Sequence, residues 1–565
     1  MNRTTDPETT GKVEKTRNEA NIAGFRSEAE MELVTAHQLW RDYDPYALPL
    51  DETILSTDKR DGYETQDVYF NGEATTDGKS RIFARRYIPA SPNGAGIVLS
   101  SEADSSLYAS ILVKNGYEVL DVDFAGKREG RVHTIYPRSM EYANLYSPES
   151  NFDKLPDRPE KSAHYAYACV LLRGFVYLES KKVEKIGFFG VRKGAFAVYK
   201  AAFVMPKAKF AIALYNSTYI PTLDLSGSDE TVWGACLDNG GYASHLTVPA
   251  YAVIGSNDPD DALESLSKLH EASSDSVYMY IDAHRSQSLD SDARKSVLSF
   301  IDRCVREYNF TPQTPLLTAK ASERRLYYEV KVDRPEWVKE VNLYYSYGEE
   351  KGEYRNWIRL PLERISESEY LVRADVYRAN DPILGFVNVS YSDERVFSSD
   401  LVDRIPRAMG IEASEILKTR LIYDVSDGAE GWIAGDELSG NSVQPELVVE
   451  KCANGIEGVR STSDVISTLS IGDVHTRGER DSALQALVYS PDYQTLYVEV
   501  TCHTDDGYKS YSASLPVSSF GEWSKLTLSA GMLRSEEGFM SGWDKAVRLK
   551  IVSESPLYVN TLLWI

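Results

Sequence analysis

Between residues 62 and 310 the chain alternates short apolar runs with amphipathic stretches, the rhythm of a mainly parallel sheet covered by helices on both faces. YETQDVYF and SRIFARRYI predict two opening strands, GAGIVLSS a buried strand, and SSLYASILVKNG the helix after it. YEVLDVDFAG reads as the next strand and SAHYAYACVLLRGFVYLES as a long amphipathic helix. IGFFG with its following helix, FAIALYN, PAYAVIG, the helix DALESLSKLHEA, the strand SVYMYID and the closing helix DARKSVLSFIDRCVREY complete the series. After Tyr308 the helical period stops, and the two prolines of NFTPQTPLL mark a linker. Residues 311–412 hold short alternating runs such as RLYYEVKV, EVNLYYSY and GFVNVSY, and residues 413–565 a longer, glycine-richer series from ELVVEK to LYVNTLLWI. Residues 1–61 read as a polar, partly disordered N-terminal extension that acquires aromatic anchors in LWRDYDPYALPLD.

Composition narrows the classes. A length of 565 residues implies several domains, and 42% hydrophobic with 26% charged residues describes an ordinary globular chain. A net charge of −23 argues against nucleic acid or an anionic membrane as a partner. The five cysteines are scattered, odd in number and in no metal-ligand spacing, so reduced thiols in a reducing compartment are expected; no metal site and no cofactor are expected. The N-terminus lacks the apolar core of a secretory signal, and no run is long enough to span a bilayer, which predicts a cytoplasmic protein.

The chemistry concentrates in IGFFGVRKGAFAVYK. An apolar run followed by Gly190, three residues and Gly194, then a helical pattern, is a sharp strand-to-helix turn. Where such a turn reads G-x-S-x-G, the serine at its tip is a nucleophile. Here Arg192 stands at the tip, and a guanidinium stays protonated and cannot attack a carbonyl. In the triad order nucleophile, acid, base, the strand PAYAVIG leads to Asp258 as acid and SVYMYID leads to His284 as base. Arg192 and Lys193 begin a helix, whose free N–H groups favour an anion, and with Ser101 and Glu102 nearby they form a candidate ligand-binding group. The alternative is that Arg192 pairs with Asp258 or Glu102 and fills the vacated pocket. Ser101, Cys169 and Ser217 are the nearest other nucleophiles by position, and none displaces Arg192.

KIGFFGVRKGAFAVYKAA, VPAYAVIGSND and YIDAH make this segment resemble the α/β-hydrolase superfamily, in particular its acetyl-xylan-esterase, dienelactone-hydrolase and acyl-CoA-thioesterase-like branches. The resemblance implies an α/β-hydrolase fold over 62–310, with Asp258 as orienting acid and His284 as base. It departs at Arg192, and at Ser100-Ser101-Glu102, which lacks the HG-type oxyanion signature.

Residues 311–412 resemble the immunoglobulin-like sandwiches appended to bacterial hydrolases, with Trp357 expected to pack the sandwich. Residues 413–565 resemble galactose-binding-like jelly rolls, in which Trp432, Trp523, Trp543 and Tyr508 are either sugar platforms or core. Asp505-Asp506 is either a calcium ligand or a solvated turn. Two functions follow. One is a pseudo-hydrolase binding a small-molecule or carbohydrate ligand. The other is an active esterase on an acylated carbohydrate or related ester, with an unidentified nucleophile.

Overall fold

The computed structural model describes residues 33–565 apart from 103–104, 216–227, 260–262, 274, 308–310, 350, 436–444, 453–454 and 518. Its first half is α/β. Nine strands form one sheet: β1 (Thr53–Arg60), β2 (Tyr63–Thr75), β3 (Gly78–Pro89), β4 (Ala95–Ser101), β5 (Glu118–Val122), β6 (Lys185–Val191), β7 (Ala211–Leu214), β8 (Ala250–Gly255) and β9 (Val277–Asp282). Their order across the sheet is β1-β2-β3-β5-β4-β6-β7-β8-β9. The pairs from β1 to β3, and β3 with β5, are antiparallel, and every pair from β5 through β9 is parallel.

The central strands are apolar throughout because both of their faces are covered. Every residue of β7 and β8 is buried. Helix α1 (Ala36–Trp40) precedes the sheet, α2 (Ser106–Lys114) follows β4, α3 (Ala163–Ser180) follows β5, and α4 (Lys193–Val204) leaves the elbow after β6. Gly174, midway along α3, faces Val98, Leu120 and Val122 so closely that an added Cβ would lie 2.9 Å from Val98. The missing side chain lets α3 sit directly on the sheet.

The expected start at residue 62 is corrected. Strand β1 belongs to the sheet, and the residues before it are packed: Trp40 is 6% exposed, stacks on Tyr165 at 4.4 Å and donates to the Tyr242 hydroxyl at 3.0 Å. All eight residues of β1 are exposed, since it is an edge strand held only by β2, so it leaves no alternation in the sequence.

The second half is all β. Strands between Leu316 and Arg404 form a four-stranded and a five-stranded antiparallel sheet, and those between Leu421 and Trp564 a six-stranded and a seven-stranded one. The first pair is not separated from the α/β half. Ile212, Tyr251 and Phe300 share one apolar core with Tyr328, Val389 and Phe397. Backbone polar groups of β9 are also satisfied from across the boundary: Asn388 donates to the Ile281 carbonyl at 2.9 Å, and the Ile281 N–H donates to Ser398 at 2.7 Å. The last 145 residues enclose a core of their own, built on Val488, Val500, Leu549 and Leu562. Trp432 and Trp543 lie wholly in that core, so neither offers an exposed ring. Asp505 and Asp506 form a hairpin turn, and Asp505 pairs with Lys545 at 2.9 Å.

Candidate functional site

Gly190 and Gly194 act by absence of bulk. A Cβ on Gly190 would lie 2.5 Å from the Ala195 Cα, and one on Gly194 would lie 2.3 Å from the Ser100 carbonyl oxygen. Strand β6 can therefore turn straight into α4 and press its first turn against the end of β4. Arg192 caps that helix with φ 54° and ψ −124°, a backbone conformation rare for any residue with a side chain. Its N–H donates to the Leu214 carbonyl at 2.9 Å, which ties the elbow to β7. Two more non-glycine residues with left-handed φ lie at the ends of neighbouring strands: Tyr215 after β7 (φ 56°) and His284 just after β9 (φ 57°). Strain of this kind costs about 1–3 kcal/mol per residue and collects at functional sites. The turn from β6 into α4 is sharp and strained, with Arg192 at its tip.

Asp258 follows β8 and is 4% exposed; its Oδ1 accepts from the Gln287 amide at 2.7 Å. His284 follows β9, and adjacent pairing of β8 with β9 brings the two loops to the same sheet edge. In a triad the acid would hold the base by a hydrogen bond to its ring. The His284 Nε2–H donates to the backbone carbonyl of Trp357 at 2.7 Å, and the His284 backbone N–H donates to Ser256 Oγ at 2.9 Å. A carbonyl only accepts, so Nε2 carries the proton and the ring's lone pair lies on Nδ1. A triad base has the reverse arrangement, with Nε2 open to accept the nucleophile's proton. Burial pushes His284 down to about 4, with the Arg285 and Arg359 charges acting in the same direction. Two residues before it, burial holds the Asp282 carboxyl well above the usual carboxylate range, and the Asp290 charge adds to this.

Lys193 pairs with Glu102 at 3.4 Å, its ammonium 5.3 Å from the centre of the Phe152 ring. Glu102 is therefore Lys193's partner. Ser100, the first residue of the expected oxyanion loop, donates its hydroxyl to the Gly194 carbonyl at 3.2 Å and braces the elbow. Ser101 and Glu102 line a cleft of about 540 Å³ with Arg85, Asp121, Asp123 and Tyr146. Of the other nucleophile candidates, Cys169 is fully buried within α3, and burial pushes its thiol well up, which makes it inert. Ser217 lies outside the described residues.

Trp357 is the residue whose part in the site the sequence does not announce. It touches Phe386 of the strand Ile383–Tyr391, ring centres 4.9 Å apart, yet it is 2% exposed within the α/β core and donates Nε1–H to the Ser256 carbonyl at 3.1 Å. No local signal marks it, because its partners come from a different half of the chain.

No helix among the described residues is long and apolar enough to cross a membrane. No protein-family model matches the chain, and no curated protein matches it at a significant level. Among solved structures the chain is similar to an acetyl xylan esterase from Paenibacillus sp. R4, at 14% identity and TM-score 0.38, over 51% of this chain and 99% of that one. It is similar to acetyl xylan esterase 1 from Thermoanaerobacterium sp. JW/SL YS485, at 15% identity and TM-score 0.34, over 46% and 89% of the two chains. It is likewise similar to a glucuronoyl esterase from Solibacter usitatus, at 13% identity and TM-score 0.33, over 50% and 100%.

Proposed function

We propose that this protein is a pseudo-hydrolase: an α/β-hydrolase-like scaffold that binds a small polar or carbohydrate ligand without cleaving it. Arg192 at the strained tip of the elbow carries this reading, because the position that presents a nucleophile holds a group with no nucleophilic lone pair. The orientation of His284 supports it, since a ring donating to Trp357 has no base lone pair on Nε2. The polar cleft beside Glu102 supplies room for a ligand. We read residues 311–412 as an immunoglobulin-like sandwich and 413–565 as a jelly roll, supported by their paired antiparallel sheets. Five free cysteines fit a reducing, cytoplasmic setting.

The test is a serine-directed fluorophosphonate probe on the full-length protein. No labelling is expected, and simple esters and thioesters should turn over no faster than with His284→Ala. Stoichiometric labelling of the unmodified protein overturns the proposal in favour of an active esterase, and a peptide map then names the serine.

A further inference from the structure

The connection between strands Val338–Tyr347 and Ile358–Leu360 leaves the sandwich and crosses the carboxyl edge of the α/β sheet. Asn257, beside Asp258, donates its amide to the carbonyls of Arg355 at 2.8 Å and Gly352 at 3.3 Å. The Arg355 side chain, 7% exposed, pairs with Glu264 at 2.6 Å. Trp357 then reaches Ser256 through its indole and His284 through its carbonyl. Within seven residues, this segment therefore holds the acid loop, the helix behind it and the histidine.

The other side of the segment is held by the C-terminal β domain. Tyr354 lies against Tyr508 with ring centres 4.4 Å apart, and the Arg548 guanidinium sits 5.4 Å over the Tyr354 ring. Glu349 accepts from His503 Nδ1 at 2.9 Å and from the Tyr508 hydroxyl at 3.0 Å. Arg548 also pairs with Glu353 at 3.8 Å. Residues 351–357 are thus clamped between the candidate site and the C-terminal β domain.

We propose that residues 351–357 are a strap that latches His284 in the tautomer opposite to a catalytic base, and that the C-terminal β domain sets how firmly the strap is seated. This goes beyond the pseudo-hydrolase reading, because Arg192 disables the nucleophile position alone, whereas the strap acts on the base independently. With its Nε2–H committed to the Trp357 carbonyl, the ring can take a proton at Nε2 only after the strap lifts. The hold is local, a few hydrogen bonds, the Arg355–Glu264 and Arg548–Glu353 ion pairs, the buried Trp357 ring and the tilted Tyr354 and Tyr508 rings, so it can open without global unfolding. Opening is coupled to any ligand or partner that binds the C-terminal domain differently in its two positions.

The experiment uses full-length protein with ¹⁵N-labelled histidine. Long-range ¹H–¹⁵N correlation spectra report the tautomer of each of the eight histidines, and His284→Gln identifies the signal sought. The expected spectrum shows His284 protonated at Nε2 and neutral at pH 6. Two variants loosen opposite ends of the strap: Glu349→Gln with Tyr508→Phe on the C-terminal side, and Asn257→Ala on the α/β side. Each removes about two hydrogen bonds, so amide exchange across 351–357 should accelerate about tenfold in both. In both, the His284 signal should move toward a tautomer mixture that titrates nearer the ordinary histidine range. Wild-type His284 protonated at Nδ1 overturns the proposal. So do folded variants whose strap exchange and histidine tautomer match the wild type. None of these readouts needs turnover, so discovery of an esterase activity leaves the result for the strap distinct.

Discussion

Gly194→Ala separates local propensity from tertiary fit with opposite signs. Gly194 sits in the first turn of α4, where helix propensity alone favours alanine by about 1 kcal/mol. The added methyl would lie 2.3 Å from the Ser100 carbonyl oxygen and 2.7 Å from its carbon, whereas ordinary contact begins near 3.4 Å. Both opposing atoms are backbone, and Ser100 is locked in register between Val122 and Gly190 in the middle of the sheet. Relief therefore demands that α4 and β4 move apart by about 1 Å, which costs about 3 kcal/mol on the scale of overpacked cores. The net expectation is a loss of about 2 kcal/mol. For a domain of this size that lowers the melting temperature by roughly 4–8 °C. Differential scanning calorimetry of the full-length protein reads this out. Gly531→Ala is the control, because nothing lies within 4 Å of its Cβ position, and it should move no transition. A Gly194→Ala protein that melts with or above the wild type refutes the elbow packing described here.

The pH dependence of stability offers two further checks. His284 is held at about 4 when folded against an ordinary value of 6.5, so the unfolded chain binds the extra proton between those values. Its contribution is complete above pH 6.5 and is lost as the pH falls toward 4, on the order of 3 kcal/mol in all. Urea titrations at pH 7 and pH 4.5 should therefore show wild type losing more stability than His284→Gln, which has no such group; equal losses contradict the burial of the ring. Lys200 in α4 is fully buried over the rings of Phe196 and Tyr242, donates to Asn239 at 3.1 Å, and is pushed down to about 7 by that burial. Stability from this group falls as the pH drops from 10.5 to 7, so Lys200→Met should stabilise the protein at pH 6 by on the order of 3 kcal/mol and by much less near pH 10. A destabilised Lys200→Met at pH 6 shows that the amine is needed where it stands.

The sequence by itself determined the order of the strands from β2 to β9 and the place of the elbow, because both are written in short-range pattern. A buried parallel strand is an apolar run, as in AIAL or AYAVIG, and the alternation of such runs with helical stretches gave the α/β half and the break after Tyr308. The two glycines of the elbow are local too: their spacing reflects a backbone that must pass within van der Waals contact of itself and of Ser100. Strand β1 was hidden because all of its side chains face water, so that TILSTDKR carries no period to read. Trp40 and its neighbours became core only once α1 met Tyr165 and Tyr242, which lie far along the chain. The partners of the site residues were decided by tertiary structure alone. Asp258 and His284 stand just after the strands where the pattern placed them, yet the carbonyl that orients His284 belongs to a residue 73 positions later, on a loop of the all-β half. Strand ends follow from local sequence, but a ring nitrogen bonds to whatever packing brings within 3 Å, and here packing brought Trp357.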